Sequence, residues 1–528
     1  MIKITDFGGI VPKIASRNLS PDMAAIAENV NLDHGTLKPF RTAKKISDEG
    51  GQKLFVHNCC VTTADCDASF AETGVACDHI IVSTGITDYP SYSQPTCPFE
   101  WKKLSFECDL PKPTALFSGE LAQDLRRERR SYVYTLVNEM GWESQPSYPS
   151  DDITVNTNSE VVLTGLPTQG AEKVRIYRTQ NVLDFGTEQQ EVVEAAYLLV
   201  DEINIGQPTY IDNVQYLGRE CMTMEYSPAP DDLRQVQSWR DGYLAGLSGN
   251  LFMMSERSQP HAWNYKNNVT FYDNAKALIC TNKIAYVLTD GRPVLISIND
   301  DCEENKPPLS VTEIGEVLPI VSTRSAAEFV GGVVYASQNG LVFINGNTAS
   351  IITQNHYTPE QWQKLHPHTM RGAVHNGYYY GTTDKVTIRF RLPDTVYARD
   401  NKTLLTTLSI KPNSWFRSND NNLYYSTDDG VYWWDQGEDL MDMHWRGNLN
   451  TLPSIIHFGA YKVIANDHGN IIKHFTDKRE IQSYEHHHNN PVRLPVGQRG
   501  LDWQVDIKGK AEVFEYHIAP SIRELSNK

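Results

Sequence analysis

The sequence predicts an all-β chain whose second half repeats a hairpin unit, and three observations carry that expectation. Asp-Gly or Asn-Gly pairs recur at Asp241-Gly242, Asp290-Gly291, Asn339-Gly340, Asn376-Gly377 and Asp429-Gly430, with a looser relative at His468-Gly469-Asn470. Short aromatic and β-branched segments flank each pair. Successive glycines lie 37 to 53 residues apart. Both dipeptides accept the positive φ angles of type I′ turns, so they are the strongest short-range hairpin signal. One such signal every ~40–50 residues suits the blades of a β-propeller.

Taken in order, residues 1–45 read as an arm or platform. Phe7-Gly8-Gly9-Ile10-Val11-Pro12 leads in, and Ser20 is placed to cap a short helix with Pro21 at its first position. Ala24, Ala25 and Ala27 add helix propensity to that reading. Asn29-Val30-Asn31-Leu32 returns to extended chain, and Asp33-His34-Gly35 reads as a tight turn between strands. Residues 46–110 carry short strands such as His79–Thr84 and are expected to supply the first blade material. Residues 111–222 differ. Strands are predicted at 132–137, 161–163, 173–178, 197–200 and 209–212, with Val174 and Ile176 on one face. Short strands at this density suggest a fibronectin type III-like sandwich inserted into the ring. The remaining blades fill 223–490, and residues 491–528 add two platform strands, 501–507 and 511–518.

Composition narrows the function classes. A chain of 528 residues exceeds what one core usually organises. It has 48 basic and 65 acidic residues, a net charge of −17 that repels nucleic acid on average. No apolar run reaches the ~20 residues needed to cross a bilayer. The first residues lack a secretory h-region, so synthesis in a cytoplasm is expected. Six of nine cysteines crowd into Cys59, Cys60, Cys66, Cys77, Cys97 and Cys108. Their uneven spacing, with Cys59 and Cys60 adjacent, is poor for tetrahedral zinc, and reduced half-buried cysteines are the expected state; zinc and a late-forming disulfide are the alternatives.

No set of residues reads as an enzyme. His486-His487-His488 places three imidazoles on consecutive residues, which point different ways and suit a solvated loop better than one metal ion. His366-Pro367-His368 offers two ligands, follows a short helix after Thr358-Pro359-Glu360, and reads as loop structure. Asp151-Asp152, Asp231-Asp232 and Asp300-Asp301 lack the spacing and turn glycine of calcium loops. No nucleophile elbow, phosphate loop or zinc-protease helix occurs. Arg126-Arg127-Glu128-Arg129-Arg130 is the one basic cluster; it reads as a solvated loop or as a contact for phosphates or an acidic subunit. Tyr378-Tyr379-Tyr380 and Tyr432-Trp433-Trp434 are packing residues between sheets or, alternatively, platforms for sugar. The expected site content is therefore no catalytic residue, no cofactor and no metal.

Several phrases together resemble the tail nozzle proteins of short-tailed bacteriophages. They begin with Phe7-Gly8-Gly9-Ile10-x-Pro12 and Ala27-x-Asn29-Val30-x-Leu32-x-x-Gly35-x-Leu37-x-Pro39. Tyr132 through Ser147 is similar to the family's inserted sandwich. Ser255-Glu256 with Pro260-His261-Ala262-Trp263, and Tyr335 through Val342 running on to Gln361-Trp362, resemble blade phrases. Trp445-Arg446-Gly447 and Ile518-Ala519-x-Ser521-x-x-Glu524-Leu525 carry the likeness to the end; the segment Cys59–Cys108 has no counterpart in it. The resemblance implies a structural virion protein at the tail tip: a homohexamer beneath an adaptor or gatekeeper ring, docking tail fibres or spikes. Viral double-stranded DNA would pass through its axial channel. A glycan-binding propeller is the alternative reading, and a propeller-borne glycosidase or lyase is a third class.

Overall fold

The computed structural model describes residues 1–58, 60–64, 68–73, 80–107, 109–122, 125–183, 196–299, 309–393 and 404–526. The fold is all-β: the described chain is strand after strand, with two α-helices of five residues each, Pro359–Gln363 and Ile522–Ser526. It divides into two compact units, Met1–Ala68 with Asp273–Lys528, and Ser69–Tyr272.

In the first unit, consecutive strands form four-stranded antiparallel sheets. Ala275–Cys280, Ala285–Thr289, Val294–Ile298 and Leu309–Glu313 make one. Ala327–Phe329, Gly332–Ala336, Leu341–Asn345 and Thr348–Ile351 make the next. Arg371–His375, Tyr378–Thr382, Thr387–Arg391 and Leu405–Leu408 follow, as the start of a larger sheet. Ser414–Arg417, Leu423–Thr427 and Gly430–Trp433 form a fourth, completed by Lys44–Ser47.

These sheets stack, and the two-residue period of a strand decides which side chain meets which neighbour. Val333 and Tyr335 pack on Tyr286 and Leu288 of the preceding sheet. Val334 and Ala336, on the opposite face, pack with Tyr379 and Phe390 of the following one. Tyr378 and Tyr380 then meet Trp415 and Tyr425, while Tyr424 and Val431 meet Leu54 and Val56. Burial on both faces explains why the inner strands read as unbroken apolar runs rather than alternating ones.

The turns fall where the glycine pairs predicted them. Asn376-Gly377 takes φ of 48° and 77° between Arg371–His375 and Tyr378–Thr382. Asp241-Gly242, Asp290-Gly291, Asn339-Gly340 and Asp429-Gly430 likewise join paired strands. His468-Gly469-Asn470 does not. It connects Ala460–Ala465 to Ile471–Thr476, which belong to different sheets.

The helix expected after Ser20 is a strand, Ala24–Glu28. Its Ala27 lies opposite Trp445 and its Glu28 opposite His444, and Glu28 also pairs Thr407 in parallel. Ala24 and Ala27 are small enough to be enclosed there, and two flanking ladders outweigh a helix propensity of a few tenths of a kcal/mol per residue. Ser20 instead closes a turn, its carbonyl accepting from the Met23 amide at 3.0 Å.

In the second unit, Ser69–Thr73, Ile80–Thr84, Ser91–Ser93 and Lys102–Lys103 form a four-stranded sheet. Arg234–Trp239, Tyr243–Ser248, Leu251–Glu256 and Gln259–Trp263 form another. The two share a core of Val82, Tyr92, Leu244 and Trp263. Between them in sequence lie three three-stranded sheets from Thr114 to Asp212, gathered on a separate core of Tyr132, Tyr134, Val155, Val161, Leu163, Val174 and Ile176.

Candidate functional site

The segment that most constrains function is the N-terminal one, because three of its strands pair with strands beyond residue 400. Ile2–Ile4 pairs with Val513–Ala519. Ala24–Glu28 sits inside the largest sheet, and Lys44–Ser47 closes the sheet of Gly430–Trp433. Local sequence makes this interlacing possible. A Cβ at Gly9 would lie 2.5 Å from the Leu405 carbonyl oxygen, so only glycine lets the backbones approach. The next amide, Ile10, donates to that oxygen at 2.9 Å. Trp445 seals the joint. Its indole Nε1 donates to the Gly8 carbonyl at 3.1 Å, and its ring meets Phe7 edge-on at 5.0 Å.

Two charged centres brace the fold from within. In the second unit, Asp212 accepts from Arg178 Nη1 at 2.5 Å and from the Tyr132 hydroxyl at 2.8 Å, with Arg130 Nη1 at 3.8 Å. Arg130 also donates to Glu128 Oε2 at 2.8 Å. All four charged side chains are at most 2% exposed. Burial and the Asp212 carboxylate hold the Tyr132 phenol far above its ordinary pKa. In the first unit, Arg389 lies over the Tyr378 ring at 3.3 Å and reaches Asp33 at 3.2 Å. These centres went unseen in the sequence because their long-range pairs, Arg178 with Asp212 and Arg389 with Asp33, lie 34 and 356 residues apart.

The residues singled out from sequence are scattered. Arg126–Arg130 is not a solvated loop: Arg127–Arg130 is a strand, with Arg127 and Arg129 exposed and Glu128 and Arg130 buried. Strand alternation, rather than like-charge repulsion, governs the cluster. His486 is buried, its Nε2 beside Asn489 Oδ1 at 3.1 Å, whereas His487 and His488 are exposed. His366 carries a left-handed backbone with φ of 58°; its Nδ1 bonds Asp384 at 2.8 Å, and its ring stacks with His368 at 5.6 Å. The expected short helix before it is present, with Thr358 and Gln361 forming a capping box.

Asp151 pairs with Lys112 at 2.8 Å and Asp152 with Arg129 at 3.7 Å. Asp232 accepts from the Ser248 hydroxyl at 2.6 Å; Asp300 and Asp301 lie outside the described residues. Among the described residues no three His, Cys, Asp or Glu side chains gather as metal ligands would. The aromatic runs serve packing. Tyr378, Tyr379 and Tyr380 are buried between sheets, and Tyr432 and Trp433, half-buried, stack on Tyr425 at 5.2 Å and Tyr424 at 5.9 Å.

The cysteines correct the expectation of a reduced cluster. Cys60 and Cys97 are disulfide-bonded, while Cys221 is a buried thiol outside any disulfide. Spacing along the chain does not say which thiols a fold brings within bonding distance. Cys59, Cys66, Cys77 and Cys108 lie outside the described residues.

Two histidines are buried where a proton is unwelcome. His474 lies between the rings of Tyr461 at 4.3 Å and Tyr516 at 5.9 Å, and neither ring nitrogen has a hydrogen-bond partner. Burial lowers its pKa to about 3. His261 stacks on Trp142 at 5.1 Å, and burial lowers its pKa to about 4. Unfolding restores both to about 6.5, so the unfolded chain binds more protons below that pH. Stability is therefore full above pH 6.5 and falls as pH drops toward 3, by up to about tenfold in the folding equilibrium per pH unit for each group. Replacing His474 by phenylalanine is expected to flatten the acid limb of urea midpoints measured from pH 7 to pH 4 by that one group; an unchanged slope would contradict this account of its burial.

No family model matches the chain, and no curated protein does. Solved structures resemble it only remotely. The extracellular domain of a putative one-component system from B. thetaiotaomicron is 12% identical with a TM-score of 0.25, covering 76% of this chain and 47% of that one. PorZ, a surface component of the type-IX secretion system of Porphyromonas gingivalis, is 9% identical with a TM-score of 0.23, covering 78% and 59%. Citrobacter koseri AztD is 12% identical with a TM-score of 0.22, covering 72% and 98%. The chain spans about half the length of the first of these. Likeness at this level assigns no function. No helix among the described residues is long and apolar enough to cross a membrane.

Proposed function

We propose that this chain is a tail nozzle subunit of a short-tailed bacteriophage, a structural protein rather than an enzyme. In this reading it is a β-propeller carrying a fibronectin type III-like sandwich, six copies of which surround the distal DNA-ejection channel. The observation that carries it is the interlacing of the first 47 residues with sheets formed after residue 400. The phrases that resemble the family at both ends of the chain, Phe7-Gly8-Gly9 and Trp445-Arg446-Gly447, meet in that one joint.

Four-stranded sheets of consecutive strands, each packed on its neighbours, support the propeller. The shared core of Tyr132, Val161 and Ile176 supports the sandwich. A net charge of −17 suits a conduit, since a bore sharing that sign holds phosphates weakly and lets double-stranded DNA slide. The partners in this reading are five further copies, an adaptor or gatekeeper ring above them, and fibres or spikes at the tail tip. A cyclic ring needs a heterologous contact repeated until it closes. Gold-labelled antibody against the chain is expected to mark the tail tip of intact virions in negative stain. Label on the capsid, or none on any particle, would overturn the assignment.

A further inference from the structure

An open cleft of about 700 Å³ lies within the Ser69–Tyr272 unit, and its chemistry is asymmetric. The floor is apolar and buried, built from Leu104, Leu110, Tyr134 and Leu136. Tyr134 is 1% exposed, and its hydroxyl has no hydrogen-bond partner. The rim carries four exposed carboxylates, Glu107, Asp109, Glu139 and Glu172. Asp109 accepts from the Tyr148 hydroxyl at 3.2 Å, yet Glu107, Asp109 and Glu172 meet no cation among the described residues. The cations nearby are engaged: Lys102 pairs with Glu139, and Lys103 lies over the Tyr89 ring at 5.7 Å.

We propose that this cleft receives an arginine-bearing segment of a partner protein. An arginine side chain has the two halves the cleft lacks: an aliphatic stem for the floor and a charged head for the rim. Its guanidinium presents five N–H donors in a fork that matches the carboxylates of the rim. Nucleic acid and acidic peptides are repelled by the same rim, and a purely apolar segment would leave the carboxylates unanswered. The inference does not depend on the nozzle assignment, because it rests on the cleft alone.

The test uses the full chain and a blocked peptide, acetyl-Ala-Arg-Ala-Arg-Ala-amide, titrated by calorimetry beside its citrulline and glutamate analogues. Saturable one-site binding is expected for the arginine peptide only, weakening at higher salt. The combined variant Glu107→Gln, Asp109→Asn, Glu172→Gln should weaken it at least tenfold. That variant changes only exposed side chains, so a loss of binding reads the rim and not the fold. Absence of binding, equal binding of the citrulline peptide, or undiminished binding by the rim variant would overturn the proposal; the last would reveal general attraction to an acidic surface.

Discussion

Replacing Asp212 by alanine is expected to destabilise the Ser69–Tyr272 unit by about 3–5 kcal/mol, the usual cost of stranding a buried charge. Asp212 is fully buried and joins its own strand to Arg178 and Tyr132, which face each other on paired strands of a second sheet, and to Arg130 in a third. Without it, the Arg178 guanidinium keeps the Val214 carbonyl at 2.9 Å, and its Nε is already unpartnered. The loss is a penalty of the unpaired guanidinium more than a measure of the pair itself. A double variant, Asp212→Leu with Arg178→Met, should therefore be closer to the parent than Asp212→Ala alone. Urea unfolding followed by tryptophan fluorescence of Trp142 reads the difference. A single variant within 1 kcal/mol of the parent would show that Asp212 is not the keystone of this network.

Removing residues 1–47 is expected to prevent the first unit from folding at all. The deletion takes Ala24–Glu28 from the middle of a sheet, leaving Leu405–Leu408 and Met443–Gly447 with unpaired backbone edges. It also removes Phe7, Val30, Leu32, Leu37 and Phe40 from the largest core cluster, where each is buried. Each large core side chain lost costs about 2–5 kcal/mol, so the sum exceeds the 5–15 kcal/mol that ordinarily holds a protein together. Limited proteolysis should degrade residues 273–528 of the truncated chain while sparing the second unit. A truncated chain with a protected C-terminal half would show that the arm is ornamental. Supplying residues 1–47 as a separate peptide should restore protection if the strands alone carry the effect.

Much of the all-β architecture was legible because it depends on short-range chemistry. Asn376-Gly377 takes the positive φ angles its turn requires, and Thr358-Pro359-Glu360 opens the helix it announces. Tyr378-Tyr379-Tyr380 reads correctly as packing between sheets, since consecutive residues of a doubly buried strand face opposite neighbours. What escaped the sequence is what depends on distance. Ala24–Glu28 is a helix by propensity and a strand by its neighbours, Trp445 and Thr407, which lie about 400 residues on. Arg130 looked like one of a run of exposed cations until strand alternation turned it inward to Glu128. Nothing near Arg178 points to Asp212, nothing near His474 points to Tyr516, and no local pattern foretells the disulfide at Cys60 or Cys97. The cleft bordered by Glu107, Asp109 and Glu172 is likewise assembled from separate stretches of chain, around residues 92, 102–111, 134–139 and 165–172.

The central claim is tested most directly by cryo-electron microscopy of the intact tail, refined without imposed symmetry and fitted with this chain. Six copies around the axis at the distal end, enclosing a channel wide enough for duplex DNA and walled mainly by carboxylates, is the predicted result. A chain located off the axis, in another copy number, or around a bore lined by lysine and arginine would contradict it.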